Sequence, residues 1–180
     1  MATYQRCPKE VEELAGELLC KFPEHKPLLD ARVKIDLVFA YGKRDEKTDK
    51  LLSFAMVRGG VRALGIARKI SLKQRALGRG DAEVALDADW WEEATKPQQA
   101  ALLDHELHHI AVSFAPKTLT VKRDDLGRPK LYLRPHDYEF GWFQIIAKRH
   151  GAASEECRGA KVISDTSGQF FWPGLFSDAQ

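Results

Sequence analysis

The chain has 180 residues, of which 44% are hydrophobic and 30% charged, which suits one domain with a full core and excludes a disordered chain. Lysine and arginine (28) nearly balance aspartate and glutamate (26), so the bulk charge argues neither for nor against a nucleic-acid partner. Three widely spaced cysteines (Cys7, Cys20, Cys157) argue against a disulfide framework. The N-terminus has no signal-like apolar core and no run approaches membrane-spanning length, so we expect a cytoplasmic protein without a membrane partner.

The first half of the chain predicts one helix and three strands. Residues 8–22 have a helical apolar face between two prolines. Residues 31–41 alternate apolar and polar side chains, as in a strand with one buried face. A glycine-interrupted strand is predicted within 58–71, and a further strand over 82–91 that runs directly into the next helix.

Seven basic residues and no acid occur in the segment 58–79. One interpretation is a solvated basic face; the other is a patch that attracts a phosphate backbone or an acidic partner. No aromatic residue interleaves the segment, which weakens a single-strand stacking platform, and the solvated face is favoured. The residues are Arg58, Arg62, Arg68, Lys69, Lys73, Arg75 and Arg79.

The next helix has clear signals at both ends. Thr95 is placed to cap it, Pro97 lies in its first turn, and Gln98 is three residues after the cap. Pro116 is expected to end the helix. Its buried face is predicted to contain Leu102, Leu103, Leu107, Ile110, Ala111 and Phe114.

This helix contains the pattern His105-Glu106-x-x-His109. At about 100° per residue, the two imidazoles lie about 40° apart and Glu106 about 60° from His109. Two nitrogen ligands beside a carboxylate match a zinc hydrolase, in which the carboxylate acts as general base. A rival pair, His105 and His108, would leave Glu106 about 160° from His108. The alternative is a polar helix face that carries these residues by accident.

Beyond the helix, strands over 118–122 and 130–133 are predicted to form a hairpin. A second helix is predicted from Pro135, in its first turn, to Gly151. His150, near its end, is expected at the surface.

A catalytic zinc site normally has three protein ligands. The downstream candidates are His136, Asp137, Glu139 and His150. His136 is preferred because a core-facing side chain at the start of the second helix can point towards the first. Glu139 is the runner-up, since sites with two histidines and one glutamate are common.

The residues Leu102–His109, preceded by Asp89-Trp90-Trp91 and followed by His136-Asp137-Tyr138-Glu139-Phe140, resemble the phage metallopeptidase family, which is itself similar to SprT-like minimal zincins. The resemblance covers roughly residues 31–151. It implies a small α+β zincin-like domain, with a mixed or antiparallel sheet packed on the HExxH helix and a second helix. It also implies zinc bound by His105, His109 and His136, with Glu106 as base.

Other residues near the motif have possible supporting roles. Asp104 and Asp137 could accept hydrogen bonds from ligand N–H groups, although Asp104 could equally be a surface residue. Tyr138, Tyr132 and His108 are candidate oxyanion donors. We expect residues 1–150 to form the single domain and 151–180, which end in an aromatic segment, to pack on it as an extension.

The leading hypothesis is a zinc metallopeptidase that hydrolyses peptides or proteins in a bacterial or phage-infected cytoplasm. The alternative is a zinc-stabilised binding module without turnover, associated with DNA through the segment 58–79; a third is a protease acting on DNA-bound proteins. By analogy with zinc peptidases generally, the strand before the active helix would lie beside the substrate groove and offer an unpaired edge to a peptide.

Overall fold

The computed structural model describes residues 2–58, 60–136 and 142–167, which confirm the predicted α+β class with a mixed sheet. The helices are α1 (Lys9–Lys21), α2 (Lys26–Asp30), α3 (Leu72–Ala76), α4 (Ala88–Glu93), α5 (Lys96–His109), α6 (Gln144–His150) and α7 (Glu155–Ser167). The strands are β1 (Thr3–Arg6), β2 (Ile35–Tyr41), β3 (Lys43–Arg44), β4 (Leu51–Ser53), β5 (Val57–Arg58), β6 (Val61–Arg62), β7 (Gly65–Lys69), β8 (Ala82–Asp87), β9 (Ile110–Val112) and β10 (Leu131–Leu133). No described helix is both long and apolar enough to span a membrane.

The main sheet has the strand order β1-β2-β8-β7. Strands β2 and β8 run parallel and pair Leu37 with Val84, whereas β1 and β7 are antiparallel to their neighbours. The expectation that the strand before the HExxH helix offers an unpaired edge is wrong, because β8 is bonded to β2 on one side and to β7 on the other. Among the described strands, β7 forms an edge of this sheet instead, on the side opposite to β1.

The main core lies between one face of this sheet and the helices α1 and α5. Side chains alternate along a strand, so β2 and β8 turn every second residue towards the helices. Leu86, Leu103 and Leu107 are fully buried there, and each such burial stabilises the fold by about 1.5–3 kcal/mol before entropic costs. The buried residues that β2 and β8 contribute to this core are Leu37, Phe39, Ala82, Val84 and Leu86.

Helix α5 begins where the capping signal predicts. The Thr95 backbone N–H donates to the Gln98 side-chain oxygen at 2.9 Å, which satisfies an amide that the first turn leaves free. The predicted continuation through Phe114 is wrong, because the helix ends at His109 and the chain turns directly into β9. Ile110 and Ala111 are buried as predicted, but in a strand that pairs with β10. Phe114, which was also predicted to be buried, is exposed.

Three other predicted elements need correction. The strand that starts at Ala82 ends at Asp87, whose carboxylate accepts from the Trp90 N–H at 3.1 Å and so starts α4. Strand β10 pairs with β9, which was not predicted. One hydrogen bond links the two predicted hairpin segments, from the Lys130 N–H to the Lys122 carbonyl at 2.8 Å. The described residues 134–136 are not helical, so the predicted start at Pro135 is wrong. Helix α6 begins at Gln144 and ends before Gly151 as predicted.

Candidate metal centre

Two histidines of α5 meet a third histidine from a later segment of the chain. His105 and His109 lie one turn apart on this helix, and His136 lies in the segment that follows β10. One ring nitrogen from each histidine lies within 4.8 Å of those from the other two. The Nε2 atoms of His105 and His136 are 3.2 Å apart. The structure therefore brings together the three residues that the sequence analysis preferred as ligands.

The pairing of β9 with β10 places His136. Because β9 continues directly from α5, its partner strand passes the end of the helix, and Leu133 lies opposite Ile110. The next residue, Arg134, donates its backbone N–H to the His109 carbonyl at 2.7 Å. His136 is two residues further along, which keeps it beside the helical pair.

Two of the histidine rings are oriented by hydrogen bonds at Nδ1. His105 Nδ1 lies 2.6 Å from Glu156 Oε1, and His109 Nδ1 lies 2.8 Å from the Arg134 carbonyl oxygen. Both partners are acceptors, so the ring hydrogens belong on Nδ1 and the Nε2 lone pairs remain for a metal. Hydrogen bonds of this type fix the tautomer and orientation of metal-binding histidines.

The protonation of the three rings differs. Burial lowers the pKa of His109 and His136 to about 4, which keeps both rings neutral and able to bind a cation near neutral pH. Burial also lowers the pKa of His105, but the hydrogen bond with Glu156 and the nearby negative charges outweigh it and raise the pKa overall. A metal ion at this site would therefore compete with a proton mainly at His105.

Glu106 is buried next to the three rings and lies against the edge strand β7. Its carboxylate accepts the Ala67 backbone N–H, and burial raises its pKa to about 7, against the opposing effects of His105, this N–H and Arg58. The approach to the strand is close, since a Cβ on Gly65 would lie 2.6 Å from both Cγ and Oε1 of Glu106. The chain thus holds a carboxylate suited to proton transfer near neutrality beside the histidine cluster.

These groups line an open cleft of about 570 Å³. One wall is formed by β7 and the segment before it, from Leu64 to Ala67, and another by residues 133–136. The cleft is lined by groups of both charges, namely Arg58, Arg62 and Arg134 together with Glu106, Glu155 and Glu156.

Most arginines of the basic segment 58–79 form ion pairs with carboxylates of the same protein. Arg62 makes two hydrogen bonds to the buried Asp87, at 2.8 and 2.9 Å. Three further arginines of the segment pair with carboxylates, as the contacts Arg68–Glu83, Arg75–Asp81 and Arg79–Asp36 show. These pairs support the interpretation that the segment is a charged face of the protein over that of a phosphate-binding patch.

Asp104 is completely buried, but it does not hold the ligand N–H groups, which bond instead to Glu156 and to a backbone carbonyl. Its carboxylate bonds to His25 Nε2 at 2.6 Å, to Arg149 Nη1 at 3.0 Å and to His150 Nε2 at 2.8 Å. The expectation of a surface His150 is therefore corrected by its bond to Asp104. This network joins α5 to α6 and to the turn before α2.

His108 is also buried, with its ring 4.8 Å from that of Phe143. Burial is the main cause that lowers the pKa of His108 to about 3, and the positive charge of Arg134 lowers it further. Tyr132 is about half exposed on β10. The remaining candidates of the sequence analysis, Asp137, Tyr138 and Glu139, lie outside the described residues.

Two residues of this site, Glu156 and Gly65, were not among the candidates predicted from the sequence. Glu156 lies in the segment assigned to an extension, where nothing in the local pattern marks it. Gly65 was noticed only as an interruption of a predicted strand; a glycine within a strand can mark a close approach by another group, which is its place here.

Comparison with models of protein families matches residues 2–165 to the family described as "Putative phage metallopeptidase". This match confirms the resemblance drawn from the HExxH and His-Asp-x-Glu-Phe motifs and extends it towards both ends of the chain. No curated protein and no solved structure matches the chain.

Proposed function

This chain belongs to the phage metallopeptidase family, and we propose that it is a zinc-dependent peptidase with Glu106 as its general base. The observation that carries the proposal is the cluster of three histidine nitrogens within 4.8 Å of one another beside this buried carboxylate. A metallopeptidase acts on peptide or protein substrates, and the open cleft at the cluster has room for such a chain.

The donor set fits zinc. Imidazole nitrogen is a common zinc ligand, and three protein ligands with a fourth position open are typical of catalytic sites. His105, His109 and His136 would hold the ion, and the hydrogen bonds at Nδ1 of the first two orient their rings for it. Bound there, zinc would polarise the peptide carbonyl and lower the pKa of a coordinated water towards about 7.

Glu106 would move the proton in the reaction. Its carboxylate accepts a proton from the attacking water as the oxygen bonds to the carbonyl carbon, and it returns that proton to the amide nitrogen as the C–N bond breaks. The Ala67 N–H holds the carboxylate in place during the exchange.

The edge strand β7 is suited to bind an extended substrate. Two hydrogen bonds show which backbone groups of β7 face β8: the Asp87 N–H donates to the Leu64 carbonyl at 2.8 Å, and the Ile70 N–H donates to the Asp81 carbonyl at 3.0 Å. Along an antiparallel strand the backbone groups of successive residues point to alternate sides. The backbone groups of Gly65, Ala67 and Lys69 therefore point away from β8. On that side lie Glu106 and the cleft. The Ala67 N–H on this side is already bonded to Glu106. We propose that a peptide adds to this edge by hydrogen bonds with the remaining outward backbone groups, with its side chains in the cleft.

The test compares the parent protein with Glu106→Gln. Both should bind one zinc ion per chain, measured by elemental analysis, because Gln leaves the three histidines intact. Incubation of each with a degenerate peptide mixture in ¹⁸O-water should give labelled new C-termini from the parent, and about 10²–10⁴-fold fewer from Glu106→Gln. Metal-independent cleavage of equal rate in both proteins would remove the catalytic account. Zinc binding without cleavage by the parent would favour the binding module instead.

A further inference from the structure

The N-terminal turn of α7 reaches the metal centre through one buried carboxylate. Glu156 is only 3% exposed, and its Oε1 atom lies 2.6 Å from His105 Nδ1. The same oxygen is 3.5 Å from the Phe143 backbone N–H, a much weaker contact. Among the described contacts of this carboxylate, the one with the His105 imidazole is therefore the strongest.

Glu156 and His136 contact different nitrogens of the His105 ring. Glu156 bonds to Nδ1 of the ring, whereas Nε2 of the same ring faces His136. Glu156 is thus on the outer side of His105 and is not placed to bind the metal directly. A buried carboxylate is costly unless a positive charge compensates it. A divalent cation held by His105, His109 and His136 would supply this compensation through the imidazole.

We infer that Glu156 is a positioning residue of the metal centre, which holds the His105 ring by its Nδ1–H so that Nε2 points to the metal. The inference rests on the proposed metal site, but it assigns to α7 a role in that site which no motif marks. It also makes the segment after residue 150 part of the functional unit, because the residue that orients a ligand comes from there.

Glu155 offers a matched control on the same turn of the same helix. It lines the same cleft and is partly buried, but its carboxylate bonds to the Arg158 guanidinium at 2.5 Å instead of to a histidine. Glu155→Gln and Glu156→Gln therefore remove the same charge from the same region, and only the second changes the partner of His105.

The experiment measures zinc affinity of the full chain by competition with a chromogenic chelator. Loss of a partner that orients a ligand typically weakens metal binding about 10–100-fold, which we expect for Glu156→Gln but not for Glu155→Gln. A second readout is the ring Nδ1–H resonance of His105 in the zinc-loaded protein. Its strong downfield shift in the parent should decrease when a neutral amide replaces the carboxylate, and should stay unchanged in Glu155→Gln.

Equal zinc affinity in the two variants would overturn the inference. If Glu156→Gln fails to fold, Glu156→Asp and Glu155→Asp replace the two variants. The shortened side chain at position 156 should weaken zinc binding, whereas the one at position 155 should not. Equal zinc affinity of these two variants would again overturn the inference. Neither readout uses turnover. A parent that binds zinc but cleaves nothing would contradict the proposed peptidase, while the comparison of variants would still decide the role of Glu156. A parent that binds no zinc would overturn both.

Discussion

Substitution of Gly65 by alanine tests whether the close approach of Glu106 to β7 matters for activity. Gly65 lies within a strand and has no left-handed backbone angle, so alanine is compatible with its backbone. The added Cβ would lie 2.6 Å from both Cγ and Oε1 of Glu106 and 2.7 Å from Cδ, and these are its three nearest neighbours. The substitution therefore acts on Glu106 before any other group.

The size of the effect follows from the overlap. Non-bonded carbon atoms normally stay about 3.5–4.0 Å apart, so the carboxylate of Glu106 must move by roughly 1 Å. That movement weakens its bond from the Ala67 N–H and displaces the base from the reacting water. A displacement of this size can reduce a rate by about 10²-fold. Converted at about 1.36 kcal/mol per tenfold, the barrier for Gly65→Ala should rise by about 2.7 kcal/mol.

The assay is kcat/KM for a quenched-fluorescence peptide chosen from the products of the degenerate mixture. Gly16→Ala is the control, because a Cβ at Gly16 on α1 meets no atom within 4 Å. Zinc affinity should stay at the parent value in both variants.

A double variant tests whether Gly65→Ala acts through Glu106. If it does, Gly65→Ala should lower kcat/KM little further in a Glu106→Gln background, since effects on a shared group are not additive. Parent-like activity of Gly65→Ala, or fully additive losses in the double variant, would refute the reasoning.

Two further predictions concern buried groups away from the cleft. Burial raises the pKa of Cys7 to about 12, so its thiol should resist a thiol reagent until denaturant unfolds the protein, whereas the exposed Cys20 should react at once; equal rates for both in native buffer would contradict this. Asp104→Ala leaves the guanidinium of Arg149 and two imidazoles without their buried acceptor, and should lower the free energy of unfolding in urea by about 3–5 kcal/mol. The surface pair of Asp30 gives the control, since Asp30→Ala should cost less than about 1 kcal/mol, and a similar small loss for both would show that the buried network adds no stability.

The features that the sequence predicts well depend on neighbours in the chain. The capping pair Thr95 and Gln98 marks the start of α5, and the spacing of His105 and His109 puts both rings on one side of it. Both signals act within one or two helical turns, so they can be read without knowledge of the fold. The class of the protein and its family follow from such local patterns together with the later His136 motif.

The features that the sequence does not predict depend on which segments meet. Strand β7 becomes the edge of the sheet only because β8 pairs with β2 on its other side, and this places Gly65 against Glu106. Glu156 has ordinary neighbours in the sequence and reaches His105 only because α7 packs beside α5 and α6. Neither contact has a periodicity or a spacing that a linear pattern could reveal.

The wrong end predicted for α5 shows how a local preference is overridden at the metal centre. A helix that continued would use the His109 carbonyl to accept the N–H four residues later, from Ser113. In the structure that carbonyl accepts the Arg134 N–H, and the Arg134 carbonyl accepts the His109 ring N–H in return, at 2.7 and 2.8 Å. The Ser113 N–H bonds instead to the Lys130 carbonyl. Only because α5 stops at His109 can the same residue bind, by its backbone and its ring together, the segment that brings His136 to the other two histidines.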